Sequence, residues 1–204
     1  MNKMKNTSQK EVWNAIAQGW SEFRQIPSPT VVDFLKESHG KILDLGCGSG
    51  RNFIKIKDTE IYGLDFSLKM LKLAEKTGKE RKIKLITKKM GNNKIDFHDN
   101  FFDYAICIAV LHCLNKKEQK VMVSELYRVL KKGGKALISV WGRKSPRLKN
   151  AEKESYVGWK TGETKQLRYT YIYDLIELQN QLEDAGFKIK RIWEERNINV
   201  IVEK

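Results

Sequence analysis

Residues 42–50, Ile-Leu-Asp-Leu-Gly-Cys-Gly-Ser-Gly, constrain the fold of this chain more than any other segment. A short apolar strand runs into Gly46, Gly48 and Gly50, and residues 49–57 then follow a helical pattern. Glycine allows a sharp turn and lets a ligand approach the main chain closely. Asp65 ends the next apolar run, where a carboxylate can bind the ribose hydroxyls of a nucleoside cofactor. The pattern therefore predicts a cofactor site at a strand-to-helix turn.

Hydrophobic periodicity alternates along the chain between strand-like and helix-like repeats. Strands are predicted at residues 41–45, 60–64, 83–87, 103–109 and 136–140. Helices are predicted at residues 49–57, 67–77, 117–130 and 174–185, the third of these ended by Gly133 and Gly134. Residues 187–193 and 198–202 alternate like the strands of a closing hairpin. Together these patterns predict an α/β fold whose mostly parallel sheet has helices on both faces.

Two segments differ from this alternating core. Residues 9–25 and 31–40 have helical patterns, so residues 1–40 are expected to form a helical cap beside the cofactor. Residues 142–168 are polar and basic with little periodicity, which predicts an insertion or mobile loop at the substrate rim. The length of the chain predicts a single domain over residues 1–204.

The formal net charge of +14 over 204 residues favours a polyanionic partner, for which nucleic acid is the default. The alternative is a lysine-rich surface with no partner. Basic residues crowd around the predicted third strand and the insertion: Lys79, Arg81, Lys82, Lys84, Lys88, Lys89, Arg143, Lys144, Arg147, Lys149, Lys160, Lys165 and Arg168. Tyr156, Trp159 and Tyr169 are suited to stack on unpaired bases.

Several other classes of protein are disfavoured. No apolar stretch approaches the roughly 20 residues needed to cross a bilayer. The polar N-terminus lacks the apolar core of a secretory signal, so a cytosolic protein is expected. Cys47, Cys107 and Cys113 form no C-x-x-C pair, so the sequence predicts no metal site and no redox motif.

The glycine turn with Asp65 resembles motif I of the class I S-adenosylmethionine-dependent methyltransferases. The run 102–112, Phe-Asp-Tyr-Ala-Ile-Cys-Ile-Ala-Val-Leu-His, and the run 125–138 extend this resemblance, which covers residues 11–204. The nicotinamide fingerprint fits worse, because Arg51 stands at its third glycine position. The resemblance implies a Rossmann-like, seven-stranded sheet with the strand order 3-2-1-4-5-7-6.

The same resemblance implies a binding site for S-adenosylmethionine. Asp44 would brace the turn, Asp65 would bind the ribose, and Phe66 would lie against the adenine. The whole implied set is Asp44, Gly46, Cys47, Gly48, Gly50, Asp65, Phe66, Met90, Gly91, Ile108 and Ala109. An acid that usually binds the adenine amino group is missing, since its position falls at Met90 or Gly91. A backbone carbonyl, an apolar contact or Asn92 would replace it.

Residues 108–112, Ile-Ala-Val-Leu-His, resemble a narrower group, the tRNA wobble-uridine methyltransferases of the Trm-nine and AlkB-homologue-eight type. These enzymes esterify 5-carboxymethyluridine in the anticodon. Residues 13–17, the segments Phe23-Arg24 and Pro27-x-Pro29, and Trp141 match this group as well. Residues 168–171, Arg-Tyr-Thr-Tyr, match only in part, because Thr170 and Tyr171 depart from the pattern, and Cys113 replaces a frequent second histidine.

This narrower resemblance implies that His112, Arg24, Arg168 and Tyr169 surround an acidic uridine. The planar fork of arginine binds a carboxylate through two parallel hydrogen bonds. A carboxylate is already ionised at pH 7, so the reaction needs no general base. The implied role of these four residues is to hold and orient the carboxylate.

A protein partner is also implied. Strand three is expected at a sheet edge, and an exposed edge can pair with another chain. Related methyltransferases dock a small zinc-containing activator of the Trm-one-one-two type there, in addition to the tRNA anticodon loop. The alternative is that the lysines beside Ile83 and Leu85 blunt this edge by their charge.

Three alternatives to a tRNA methyltransferase remain at this point. A methyltransferase for a small molecule, such as a quinone or a short acid, would need neither the basic charge nor the insertion. A non-catalytic tRNA-binding subunit with the same fold would not bind the cofactor. A nicotinamide oxidoreductase is disfavoured by Arg51 and by the Leu-Lys-Lys-Gly-Gly turn at residues 130–134.

Overall fold

The computed structural model describes residues 8–91, 94–145, 148, 150–161 and 164–204. Asn92, Arg147 and Lys149, which carry sequence predictions, lie outside these residues. The described helices are α1 (Gln9–Phe23), α2 (Pro29–Leu35), α3 (Leu68–Glu80), α4 (Lys116–Val129) and α5 (Leu175–Asp184), with a 3-10 helix at Leu111–Cys113. The described strands are β1 (Gly40–Leu45), β2 (Thr59–Asp65), β3 (Leu85–Lys89), β4 (Phe102–Ile108), β5 (Leu130–Trp141), β6 (Glu154–Thr161), β7 (Thr164–Tyr171), β8 (Lys188–Glu194) and β9 (Asn197–Glu203).

Seven strands form one sheet in the order β3-β2-β1-β4-β5-β9-β8. The pairs among β1 to β5 are parallel, while β9 runs antiparallel to both β5 and β8. This is the predicted order 3-2-1-4-5-7-6, renumbered because β6 and β7 intervene in sequence. The class I methyltransferase fold expected from the sequence is therefore confirmed.

Helices cover both faces because side chains alternate along each strand. Ile42 on β1 packs in one apolar cluster with Val31 and Leu35 of α2. Its neighbour Leu43 packs in the opposite cluster, which holds Leu126 of α4 together with residues of α5. The carboxyl ends of β1, β2 and β4 therefore open at one edge between these two layers.

The predicted helix at residues 49–57 is wrong: residues 50–52 form turns, and no helix lies between β1 and β2. The side chain of Arg81 explains how these turns are stabilised. Its guanidinium donates hydrogen bonds to the carbonyl oxygens of Arg51 and Phe53, both at 2.8 Å, and of Gln25, also at 2.8 Å. A side chain at the C-terminal cap of α3 thus binds carbonyl groups that a helix would pair with its own backbone.

The glycines Gly133 and Gly134 also lie elsewhere than predicted. Helix α4 ends at Val129, and Leu130 already has the extended backbone of β5. Leu130 pairs with Phe102 of β4 before the register shifts, so both glycines belong to the irregular start of β5. The helix ends because the next residue pairs with a strand rather than because of the glycines.

The sequence predicts an insertion or mobile loop at residues 142–168, and the structure has an ordered insertion there: β6 and β7 pair as an antiparallel two-stranded sheet that extends to Tyr171. Gln9 of α1 fastens this hairpin to the cap. Its amide donates to the carbonyl oxygen of Leu167 at 3.3 Å and accepts the N–H of Tyr169 at 2.9 Å. Helix α1 and the hairpin therefore form one wall above the sheet edge.

We predict that Arg81→Met lowers the free energy of unfolding by about 2–4 kcal/mol, because hydrogen bonds from a charged group are lost and their carbonyl acceptors become unpaired. Urea unfolding of the purified protein measures this change. Lys79→Met, an exposed change on the same helix, is the control and is expected to have little effect. Equal stabilities of the two variants would contradict this account of the loop.

Candidate cofactor and substrate site

The loop after β1 has left-handed backbone at each of its glycines, with φ of 69° at Gly46, 55° at Gly48 and 78° at Gly50. A Cβ atom at Gly46 would lie 2.3 Å from the side chain of Val110, so sterics as well as conformation require glycine there. A Cβ at Gly48 would meet no atom within 4 Å. At Gly48 the left-handed backbone conformation favours glycine, and the space beside it is open.

Asp65, at the end of β2, holds this loop in place. Its Oδ2 accepts the N–H of Gly48 at 2.9 Å, and its Oδ1 accepts the N–H of Ser67 at 2.8 Å. Burial raises the pKa of Asp65 to about 6, against the opposing effect of these N–H donors. Each carboxylate oxygen has a further lone pair, so the group can still accept hydrogen bonds from a ligand.

Asp44 lies below the loop with its side chain almost fully buried. Burial, reinforced by the charge of Asp65, raises the pKa of Asp44 to about 8, and Arg51 acts in the opposite direction. Among the described residues, Asp44 Oδ2 and Arg51 Nε have no hydrogen-bond partner. Asp44 therefore carries a buried, unpaired carboxyl oxygen beside the glycine turn.

A cavity of about 1240 Å³ opens at this sheet edge. Most residues predicted to bind the cofactor line it: Gly46, Cys47, Gly48, Asp65, Phe66, Met90, Gly91, Ile108 and Ala109. Asp44 and Gly50 are not among the lining residues, and the ring of Phe53 packs against Gly50. Typical small-ligand pockets have volumes of about 300–1,000 Å³, so this cavity has room for a cofactor and part of a substrate.

Beyond Ile108 the cavity is lined by His112, which is only 2% exposed. The backbone N–H of Trp141 donates to His112 Nδ1 at 3.1 Å, and the two rings stack 4.7 Å apart. Burial, aided by the charge of Arg168, lowers the pKa of His112 to about 3. His112 is therefore neutral at pH 7, and because Nδ1 accepts a hydrogen bond, its proton resides on Nε2.

Arg168 of β7 lies in a box of tryptophan rings and is 4% exposed. Its guanidinium carbon is between 5.0 and 5.7 Å from four ring centroids, those of Trp13, Trp20, Trp141 and Trp159. The face of each ring attracts the cation. We call these four rings the tryptophan box; α1, β5 and β6 contribute them.

All four residues predicted to surround the substrate line the same cavity: His112, Arg24, Arg168 and Tyr169. The guanidinium of Arg24 lies 5.3 Å from the ring of Trp20, so it belongs to the same aromatic surroundings. The ring of Tyr169 packs edge-on against Tyr156. The structure thus brings together side chains from the C-terminal cap of α1, the 3-10 helix and β7, which are far apart in sequence.

Other lining residues were missed by the sequence analysis. Ser139 of β5 and Asn197 and Asn199 of β9 are polar residues within otherwise apolar strands, which was the available signal. Ala109 adopts φ of 62° at the end of β4, and its N–H donates to the carbonyl oxygen of Ser139 at 2.8 Å. Left-handed backbone at a residue other than glycine is strained and is common at functional sites.

Comparisons with known proteins agree with this geometry. A family profile described as "Methyltransferase domain" matches residues 42–134. A protein of Encephalitozoon cuniculi named as a methyltransferase is 30% identical over 172 residues, which cover 80% of this chain and 78% of that protein. The tRNA (carboxymethyluridine(34)-5-O)-methyltransferase alkbh8 of Xenopus tropicalis is 32% identical over 146 residues, or 70% of this chain. This chain spans only 22% of the length of the Xenopus protein.

Among solved structures, a SAM-dependent methyltransferase from Methanosarcina mazei superposes with a TM-score of 0.68 and 25% identity. The match covers 88% of this chain and 98% of that one. The chain belongs to the S-adenosylmethionine-dependent methyltransferases. It is accordingly an enzyme whose cofactor is S-adenosylmethionine, and the nicotinamide alternative is excluded.

No helix within the described part of the chain is long and apolar enough to cross a membrane. Over the same residues, no group of three or more His, Cys, Asp and Glu side chains is placed to hold a metal ion. The three cysteines are free thiols, and burial raises the pKa of Cys113 to about 12. These thiols therefore stay protonated at neutral pH.

We predict that Asp65→Asn weakens the binding of S-adenosylhomocysteine by about 10- to 100-fold, because a charged hydrogen-bond acceptor is lost. With the pKa of Asp65 near 6, wild-type affinity is expected to fall as the pH drops below 6. Calorimetric titration measures both effects. Asp58→Asn, an exposed turn residue, is the matched control. Unchanged affinity of the Asp65 variant would show that the cofactor binds elsewhere.

Proposed function

We propose that this enzyme methylates tRNA and esterifies the carboxylate of 5-carboxymethyluridine at the wobble position. The observation that carries the proposal is the cavity wall beyond Ile108. It presents the buried guanidinium of Arg168, the neutral ring of His112 and the side chain of Arg24. This wall can bind an anion, and the ring of His112 is too weakly basic to accept a proton at neutral pH.

The described residues fit the expected cofactor. Gly46 and Gly48 would face its methionine portion, Asp44 would brace the turn, and Asp65 would hold the ribose. The adenine would lie between Phe66 and the turn at Met90, without a charged partner in the described residues. When bound, S-adenosylmethionine supplies a methyl group on a positively charged sulfur that a carboxylate can attack directly.

The environment of Arg168 suits a residue that binds a substrate carboxylate. The tryptophan rings hold the positive charge of the Arg168 guanidinium at the cavity, where it attracts an incoming anion. Its rigid surroundings also fix the direction of its planar fork, which favours two parallel hydrogen bonds to a carboxylate. The Nε2–H of His112 is a second donor to the same anion.

Positioning and the exclusion of water then account for the chemistry. An ionised carboxylate held in line with the methyl group reacts as if it were at a very high local concentration. The tryptophan box and the hairpin β6–β7 contribute lining residues to this cavity, and a bound substrate would displace water from it. No residue has to gain or lose a proton during the step.

The surface supports a polyanionic substrate, although some predicted contacts change. Arg81 is occupied by backbone carbonyl oxygens, and Lys84 and Lys88 form ion pairs with Glu60 and Asp96. Most of the remaining predicted lysines are exposed, which agrees with salt-sensitive binding of phosphates.

The aromatic side chains available for base stacking also change. Trp159 packs on Trp20 and Phe23 at 5.0 and 5.5 Å between ring centroids, and Tyr169 is partly buried. Tyr156 and Phe23, which are 38% and 63% exposed, line the cavity mouth. We therefore assign base stacking to Tyr156 and Phe23 rather than to Trp159.

We predict that the enzyme transfers labelled methyl groups to undermodified tRNA in a form that mild alkali releases, as a methyl ester would be. Arg168→Gln is expected to reduce this rate by about 100-fold, since a preorganised charged donor is lost. Arg191→Gln, an exposed arginine on β8, is the control. Label found only in small metabolites would favour a small-molecule substrate, and no cofactor binding would favour a non-catalytic subunit.

We also infer that β3 docks a small zinc-containing activator. This strand pairs only with β2 among the described residues, and its Ile86 is 40% exposed. A partner strand would satisfy the backbone groups along this edge.

Ile86→Lys is expected to abolish co-purification with a co-expressed activator and to leave cofactor affinity unchanged. Pull-down and calorimetry measure these two effects. Lys69→Glu, at an exposed position on α3, is the control for a general effect of surface charge. A soluble monomer with full activity and no partner would contradict the inference.

A further inference from the structure

We infer that Ser139, Asn197 and Asn199 form a subsite that recognises the N3–H edge of a uracil base. We call these three residues the amide cluster. The inference rests on the proposed function, and it names what distinguishes the substrate base from cytosine. These residues have no role in the proposed cofactor site. They also lie outside the wall formed by Arg168, His112 and Arg24, which we call the carboxylate-binding wall.

The amide cluster faces the cavity from the end of the sheet. Ile108, Ser139 and Asn199 are register partners across β4, β5 and β9, so their side chains share one face. Ser139 is the nearer of the two polar residues to Ile108, which is expected next to the reacting methyl group. Ser139 is 4% and Asn199 8% exposed, and both line the cavity. They are thus buried polar groups beside open space.

The cluster lies close to the carboxylate-binding wall. Asn197 is the register partner of Trp141, whose backbone N–H bonds to His112 and whose ring belongs to the tryptophan box. Trp141, at the end of β5, therefore lies between the amide cluster and the wall that contains His112 and Arg168. N3 and C5 flank C4 on a pyrimidine ring, and the bonds that leave the ring at these two atoms diverge. A C5 substituent directed at His112 would thus turn the N3 edge towards another wall.

Hydrogen bonds inside the cluster set its polarity. The Nδ2 of Asn199 donates to the carbonyl oxygen of Asn197 at 3.2 Å, which leaves Asn199 Oδ1 as an acceptor. The Nδ2 of Asn197 donates to Ser139 Oγ at 3.5 Å, so the hydroxyl proton of Ser139 remains available to a ligand. The cluster therefore offers one acceptor beside one donor.

This arrangement matches uracil and opposes cytosine. Uracil has an N3–H donor between two carbonyl acceptors, whereas N3 of cytosine is itself an acceptor. Asn199 Oδ1 would accept the uracil N3–H, and the hydroxyl of Ser139 would donate to an adjacent carbonyl. Cytosine would bring two acceptors together in a site with little water. A site built to receive a hydrogen bond rejects ligands that cannot donate it.

The test uses two anticodon stem-loop RNAs that differ at one base, 5-carboxymethyluridine or 5-carboxymethylcytidine. Their dissociation constants are measured by fluorescence anisotropy with S-adenosylhomocysteine present. We expect the wild-type protein to favour the uridine RNA by about 10- to 100-fold, the discrimination typical of a good base contact. Asn199→Ala and Ser139→Ala should each weaken binding of the uridine RNA and reduce this preference to a few-fold.

Asn180→Ala, an exposed amide on α5, is the matched control and should keep the full preference. Unchanged affinity of Asn199→Ala for S-adenosylhomocysteine shows that this variant is folded. If Asn199→Ala does not fold, the RNA preference of Ser139→Ala provides the test. Full preference retained in both cavity variants would overturn the inference while leaving the proposed function intact. Failure of the wild-type protein to bind either RNA would overturn both.

Discussion

The carboxylate of Asp65 is the contact on which the site depends. By accepting the N–H groups of Gly48 and Ser67, it joins the glycine loop of β1 to the start of α3. The cofactor-binding edge is therefore shaped before any ligand arrives. The same burial that raises the pKa of Asp65 to about 6 makes each hydrogen bond to the carboxylate stronger. Preorganisation of this kind favours tight binding of a small polar cofactor.

Elements that lie outside the parallel core in sequence form a second wall above this sheet edge. Helix α1 precedes the first strand, and the hairpin β6–β7 follows the fifth, yet the two are bonded through Gln9. Together with Trp141 they enclose Arg168 in aromatic rings. The charge of Arg168 in turn helps to keep His112 neutral. The sheet edge thus gains a second wall that contains the guanidinium of Arg168 and the ring of His112.

Much of the fold could be predicted because its signals are local. Apolar runs ending in Gly46 and Asp65 located the strands and the cofactor edge, and most cofactor residues named from the motif line the cavity. Residues 49–57 have helical periodicity, yet Arg81, about 30 positions away, binds their carbonyl groups instead. Similarly, β6 and β7 have weak periodicity and depend on packing against α1. Local hydrophobic periodicity does not predict long-range contacts of this kind.

The most direct test of the account is a crystal structure of the protein with S-adenosylhomocysteine. We predict that its ribose hydroxyls bind Asp65, that its amino-acid end faces Gly46 and Gly48, and that its sulfur points towards His112 and Arg168. A ligand bound with its sulfur directed away from the tryptophan box, or bound outside this cavity, would contradict the account.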